Sequence, residues 1–363
     1  MTESAIEFTQ NHFGIALPGR LRELHSKWLG TESYLDAGLA FLQASWNRLI
    51  GTAAQGEPVF LSQLFGTAIG NLIGGHVFQE RETRVLRSLL AETRATQGGY
   101  LPVKPEYVSR FPNLGRAQNS PMVPEVYSSY YGYFLERVAG LDPGSSHEEL
   151  SAWLASLQKP SGFIYNAVYS DTDERVRMES ELSFQLFCAL RLLKACDVSR
   201  LNQVSSSAKS SLLERWPTYK TIAGRYFAFR ALSLISPRAL RDIDNEEMAS
   251  FLASRKDNVE GGFLDYRLLD KVDESMGSES AVELDKITSH VFSTFYAISI
   301  SKGLGMPSPI TPEETRKFVA ASLNEDSGFG RQVLIKDFGS GFGPRSTELE
   351  STMILLLPAL LYG

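Results

Sequence analysis

The sequence predicts an all-α protein, a single-domain (α/α) toroid of five or six helical hairpins, and three observations predict it. A unit of helix, Gly-aromatic turn, polar stretch and second helix recurs along the chain. The two helices differ in kind: the first is amphipathic, as in "HEELSAWLASLQ", and the second is apolar almost all round, as in "SFQLFCALRLL". A helix without a polar face is buried on all sides and one with a single apolar stripe lies outside it, so this sorting specifies two concentric layers. Strand signals are almost absent.

Taken in order, residues 1–84 supply leading helices expected to join the same barrel, with "FLSQLFGTAIGNLIGG" at 60–75 as a degenerate copy. Clear copies follow as "LLAETRATQGGYL" with "PEVYSSYYGYFLERVAGL", "WLASLQKPSGFIY" with "SELSFQLFCALRLL", "FLASRKDNVEGGFLDY" with "SHVFSTFYAISI", and "FVAASLNEDSGFG" with "TELESTMILLLPALL". The recognisable repeats cover 85–361, and the turns at Gly98, Gly162, Gly261 and Gly328 recur at one or two units of roughly fifty residues. "TIAGRYFAFRALSLI" at 221–235 keeps a second helix but lacks the Gly-aromatic turn, and "NQVSSSAKSS" at 202–211 reads as a polar loop. Outer helices are expected to start at Ser145 or Ser146 and at Thr311-Pro312, since hydroxyl caps followed by proline or acids mark helix starts.

Hydrophobic residues make up 43% of the 363 and charged residues 21%, the profile of a globular chain. A net charge of -6 argues against a nucleic-acid partner, because binding a phosphate backbone needs clustered Lys and Arg. The opening "MTESAIEFTQ" lacks a basic-then-apolar leader, so a cytoplasmic location is expected, with or without peripheral membrane contact. Cys188 and Cys196 lie eight residues apart on one predicted helix, too far for a disulfide and too few for structural zinc; they read as core thiols. "MILLLPALLY" at 353–362 is half a membrane span, hence a buried helix.

The pairs "GGFLDY" with "STFYAI" and "SGFIY" with "FQLFCAL" resemble the repeat of the terpene cyclase and protein prenyltransferase superfamily. The resemblance implies an α/α toroid and an isoprenoid ligand. Zinc prenyltransferases resemble each other in an Asp-x-Cys-Tyr motif in a late repeat; this chain has Glu348-Leu349-Glu350-Ser351 there, without the thiolate that zinc needs. Lys159-Pro160-Ser161-Gly162-Phe163 resembles the turn that precedes the Asp-x-Asp-Asp acid motif of class II terpene cyclases. Eight residues beyond Phe163 stands Asp171-Thr172-Asp173-Glu174; aligning the inner helices instead puts the motif on Glu179-Ser180-Glu181. Both registers stay open at this point.

Protonating an alkene yields a carbocation, so the donor must be a carboxylic acid kept protonated in a dry site; burial and a neighbouring carboxylate both raise its pKa. The cation must then meet ring faces rather than water. The candidates for the acid are Asp171, Asp173, Glu174, Glu179 and Glu181, with His290 as a hydrogen-bonding partner at the mouth. Candidate substrate contacts are Phe163, Tyr165, Phe184, Phe187, Tyr130, Phe227, Phe292 and Tyr296, together with Glu125, Glu348 and Glu350, of which the last two and His290 are also candidate bases. The expected ligand is a linear isoprenoid or prenylated small molecule, with no cofactor; Mg2+ enters only for a diphosphate substrate. The enzymatic alternative is a prenyl-transferring enzyme, and the other is a toroid that binds lipid or protein without turnover. An acid-rich helix start and buried aromatics also suit a solvated helix face and ordinary packing.

Overall fold

The computed structural model describes residues 4–14, 21–96, 98–108, 124–141, 146–165, 176–257, 261–264, 291–324, 326–330 and 348–362. Among them the chain is all-α: α-helices and short 3-10 turns carry the regular structure, and β pairing is confined to isolated bridges at turns. The helices are α1 (Ala5–Phe13), α2 (Leu21–Leu29), α3 (Ser33–Ala54), α4 (Leu61–Ile73), α5 (Glu80–Thr93), α6 (Pro105–Val108), α7 (Val126–Val138) and α8 (Ser146–Ser156). They continue as α9 (Val176–Cys196), α10 (Val198–Arg215), α11 (Ile222–Ile235), α12 (Asn245–Ala253), α13 (Val291–Gly303), α14 (Pro312–Ser322) and α15 (Glu348–Tyr362). No described helix is long and apolar enough to cross a membrane.

Contacts divide the chain into two compact units. The first comprises Met1–Phe13, Gln43–Thr218 and Phe227–Pro237, the second Gly14–Leu42, Tyr219–Tyr226 and Arg238–Gly363. In the first unit α7 packs against α1, α4, α5 and α9, while α9 also meets α8 and α10. In the second, α15 packs against α13 and α2, and α2 also carries α14.

The expected sorting of helices holds within each unit. Residues 293–301 of α13 and 350–360 of α15 are buried without interruption, as are 185–193 of α9. Burial removes the need for a polar face, which is why these segments read as apolar all round. By contrast α5 buries one stripe, Leu86, Leu89, Leu90 and Thr93, and α14 buries Thr315, Phe318, Val319 and Ser322. The Thr311 cap forms as expected: its hydroxyl accepts from the Glu314 N–H, Glu314 returns the bond, and Pro312 opens the helix. Pro358 lies inside the buried α15, and both cysteines are free on α9.

One expectation is corrected. Residues 202–211 are not a loop but the middle of α10, an amphipathic helix that packs on α9 and α8. Asp197 caps it by accepting from the Arg200 N–H at 3.1 Å, and Leu201, Val204, Ala208 and Leu212 form its buried stripe. The serines lie between these positions, so a spacing of three and four apolar residues hides in a polar-looking string.

The turns follow one plan. At Gly98, Gly162 and Gly261 the backbone takes φ of +79, +80 and +82, and in the fourth turn Ser327 holds φ 67, so the left-handed position there precedes Gly328. A side chain at the first three would strike the backbone of the next amphipathic helix: Leu150 N of α8 at 2.7 Å, Ser207 O of α10 at 2.6 Å and Glu314 O of α14 at 2.9 Å. After each turn an antiparallel bridge forms, Tyr100 making a second one to Glu125, and at three of the turns the bridging residue's N–H reaches a hydroxyl on the buried helix. Tyr100 donates to Ser129 Oγ (2.9 Å), Phe263 to Thr294 Oγ1 (3.0 Å) and Phe329 to Ser351 Oγ (2.8 Å). In the second turn the bridging residue is Ile164, one beyond Phe163, which lies instead under the Arg215 guanidinium.

Gly162→Ala is expected to lose about 2 kcal/mol or more, from left-handed backbone strain plus the collision with Ser207. Gly56→Ala, with φ +80 but open space around it, is expected to lose only about 1–2 kcal/mol. Urea midpoints of the two variants check the difference.

Candidate active site

The turn plan places one carboxyl. Tyr100, fixed by Ser129, pairs its carbonyl with the Glu125 N–H at 3.1 Å, and Glu125 is the N-cap residue of α7. Its side chain does not cap the helix; Glu125 Oε2 accepts from Ser128 Oγ at 2.7 Å, and Tyr127 also hydrogen-bonds the carboxyl. Burial pushes the Glu125 pKa above its usual range, those two hydrogen bonds oppose the rise, and the charge of Glu181 adds to it. Glu181 stands on α9, where Gln185 Nε2 donates to its Oε1 at 3.0 Å.

Beneath the two acids lie Tyr131 and Cys188. The Tyr131 phenol is raised well above normal by burial, then by Cys188, Glu181, Tyr130 and Glu125, so all five groups share one electrostatic neighbourhood. Burial and Glu181 likewise raise Cys188, which therefore stays a thiol and is no nucleophile. Rings surround this cluster: Phe65 lies 4.5 Å from Tyr131, and Tyr127 lies 6.2 Å from it. Tyr127, Tyr131, Glu125, Glu181 and Phe184 all keep part of their surface accessible, whereas Tyr130 and Phe187 one turn below are fully buried.

A second raised carboxyl, Glu136, makes a contrast. It accepts from the Tyr100 hydroxyl at 2.6 Å, lies 3.5 Å from Arg94, and is 2% exposed. Burial raises it while these partners lower it.

The other expected site residues fall in separate groups. Phe184 and Phe187 pack on Phe227, at 4.7 and 5.9 Å, and Tyr130 lies 6.1 Å from Phe187. Phe163 and Tyr165 are buried at the turn, Tyr165 under Lys159 Nζ at 5.0 Å. In the second unit Tyr296 stacks on Tyr226 at 4.2 Å and meets Phe292 at 6.1 Å; Glu350 is buried there and Glu348 half-buried at the start of α15. Asp171, Asp173, Glu174 and His290 lie outside the described residues, as does the Glu179 side chain. Counting back from the hydroxyl positions, His290 precedes Thr294 by four residues, as Glu125 precedes Ser129; Glu348, only three before Ser351, stands one residue off that level. Sequence reasoning had Glu125 as a substrate contact and passed over Tyr127 and Phe65; the four-residue spacing of Tyr127 and Tyr131 below Glu125 was the available signal.

No group of three or more His, Cys, Asp and Glu side chains is arranged to hold a metal among the described residues. No protein-family model matches the chain, and no curated protein matches it either.

Because folding raises the Glu125 pKa, it destabilises the fold at every pH above the carboxyl's unfolded value and not below it. Glu125→Gln is therefore expected to raise stability at pH 7, with the difference from the parent closing as pH falls below about 4.3. Denaturant titrations at both pH values check this.

Proposed function

We propose that this protein is a class II-like terpene or meroterpenoid cyclase, in which Glu125 is the proton donor and its helical hairpins belong to an (α/α) toroid. The observation that carries the reading is the Glu125 carboxyl, its pKa raised by burial and further by Glu181, in one neighbourhood with the part-accessible Tyr127 and Tyr131. Glu125 gives its proton to the terminal carbon of an alkene or to an epoxide oxygen. The resulting cation is attacked by internal double bonds, forming rings, and is stabilised by the ring faces of Tyr131, Tyr127 and Phe65. Loss of a proton ends the sequence and leaves a product isomeric with the substrate. Burial raises the pKa of the donor, and the charge of Glu181 adds to that rise. The resemblance of the repeats to those of cyclases supports the same reading, with a linear prenyl chain, free or attached to an aromatic head, as substrate.

Incubation with a panel of linear prenyl and prenyl-arene substrates, followed by mass spectrometry, is expected to yield a product of unchanged mass. Glu125→Gln is expected to reduce its formation by at least about a hundredfold, the usual contribution of a general acid. The rate is expected to fall as pH rises through the Glu125 pKa, because the protonated form is the donor. Tight binding with every substrate recovered intact would instead favour a lipid-binding protein.

A further inference from the structure

Helix α1 is covered on one side only. Phe8, Thr9, His12 and Phe13 are buried, while Ile6, Glu7 and Asn11 face out, Ile6 with 51% of its surface exposed. The buried face seats in an aromatic recess at the lower part of the first unit. Phe8 lies 4.9 Å from Tyr130 and 5.1 Å from Phe134, with the Arg191 guanidinium 5.3 Å above its ring. His12 stands between Phe65 (5.3 Å) and Phe187 (6.1 Å), its Nδ1 2.9 Å from the Tyr130 hydroxyl. Arg230 donates to the Asn11 carbonyl.

Burial, then Arg230 and Arg191, disfavour charge on His12, and no acid faces it among the groups named here. Arg191 comes from α9 and Arg230 from α11; Tyr130 from α7 and the Cys188 thiol of α9 are neutral, and α4 presents the Phe65 ring. Glu7, the acid on α1 itself, is on the exposed face. We propose that α1 is a displaceable stopper, seated while His12 is neutral and released when His12 takes up a proton. Release uncovers a recess lined by Tyr130, Phe134 and Phe187 and bearing the Arg191 and Arg230 guanidiniums. The inference does not depend on the cyclase reading.

The sign follows from linkage. Burial, then Arg230 and Arg191, hold His12 well below its ordinary value in the seated state, so seating is stable above the free-histidine value and is lost as pH falls below it. With a free value of about 6.5, lowering pH from 7.5 to 5.5 weakens seating about tenfold.

Hydrogen exchange on the full chain at those two pH values, each rate divided by its intrinsic rate, is the test. Protection of the peptide covering α1 is expected to drop about tenfold at pH 5.5 while α7 and α9 keep theirs. His12→Gln, which can still bond Tyr130 but cannot become charged, is expected to abolish the drop. Should that variant not fold, Phe8→Ala is expected to lower α1 protection at both pH values and keep the tenfold ratio. Equal α1 protection at the two pH values, a drop that persists in His12→Gln, or loosening of α7 and α9 together with α1 in Phe8→Ala would each overturn the proposal.

Discussion

Each turn drives one buried backbone N–H into the protein, and that donor has to find an acceptor. Left unmet it costs about 1–3 kcal/mol, a sizeable share of the net stability of a domain. Ser129, Thr294 and Ser351 meet it from the first turn of helices that are largely buried. A hydroxyl in that position does more than satisfy a donor: it fixes how far each buried helix slides along its turn. The height of α7, and with it the position of Glu125 opposite Glu181, follows from the bond between Tyr100 and Ser129.

The candidate site then reads as a layered arrangement within the first unit. Acids stand at the top, half-accessible rings below them, sealed rings below those, and α1 underneath. Charge is handled differently at each level. At the top, burial and the charge of Glu181 raise the Glu125 carboxyl; at the bottom, burial and then the guanidiniums that lie over the rings of Phe8 and Phe187 lower His12. Between them the Cys188 thiol and the tyrosines carry no charge, so the middle stays apolar in character despite its heteroatoms.

Much of the helical plan was legible because burial writes itself into composition: α13 and α15 have no polar face to display, and Thr311-Pro312 announces α14. What escaped was governed by contacts distant in sequence. The serines of α10 mask a stripe that becomes visible only when Leu201, Val204, Ala208 and Leu212 are seen to share a side. Glu125 reads as a substrate contact and not as the acid until Glu181, 56 residues later, is brought within its field. The nine residues of α1 carry too little periodicity to reveal a buried histidine whose partners come from four other helices. The second turn misleads in another way, since its aromatic residue sits one place early and Ile164 takes the bridging role.

The close approach of Gly98, Gly162 and Gly261 to main-chain atoms of the following amphipathic helix has a consequence for how such a chain can change. At these junctions one backbone touches another, the side-chain stems of Glu149 and Glu314 close in beside it, and Ser211 donates to the Ser161 carbonyl. The closest approach is to main-chain atoms, so it places few demands on the residue types opposite. The amphipathic helices can drift in sequence while each junction keeps its spacing, provided that the turn residue has no Cβ. The degenerate repeats of this protein, alike in their turns and unlike in nearly everything between, are what that kind of joint permits.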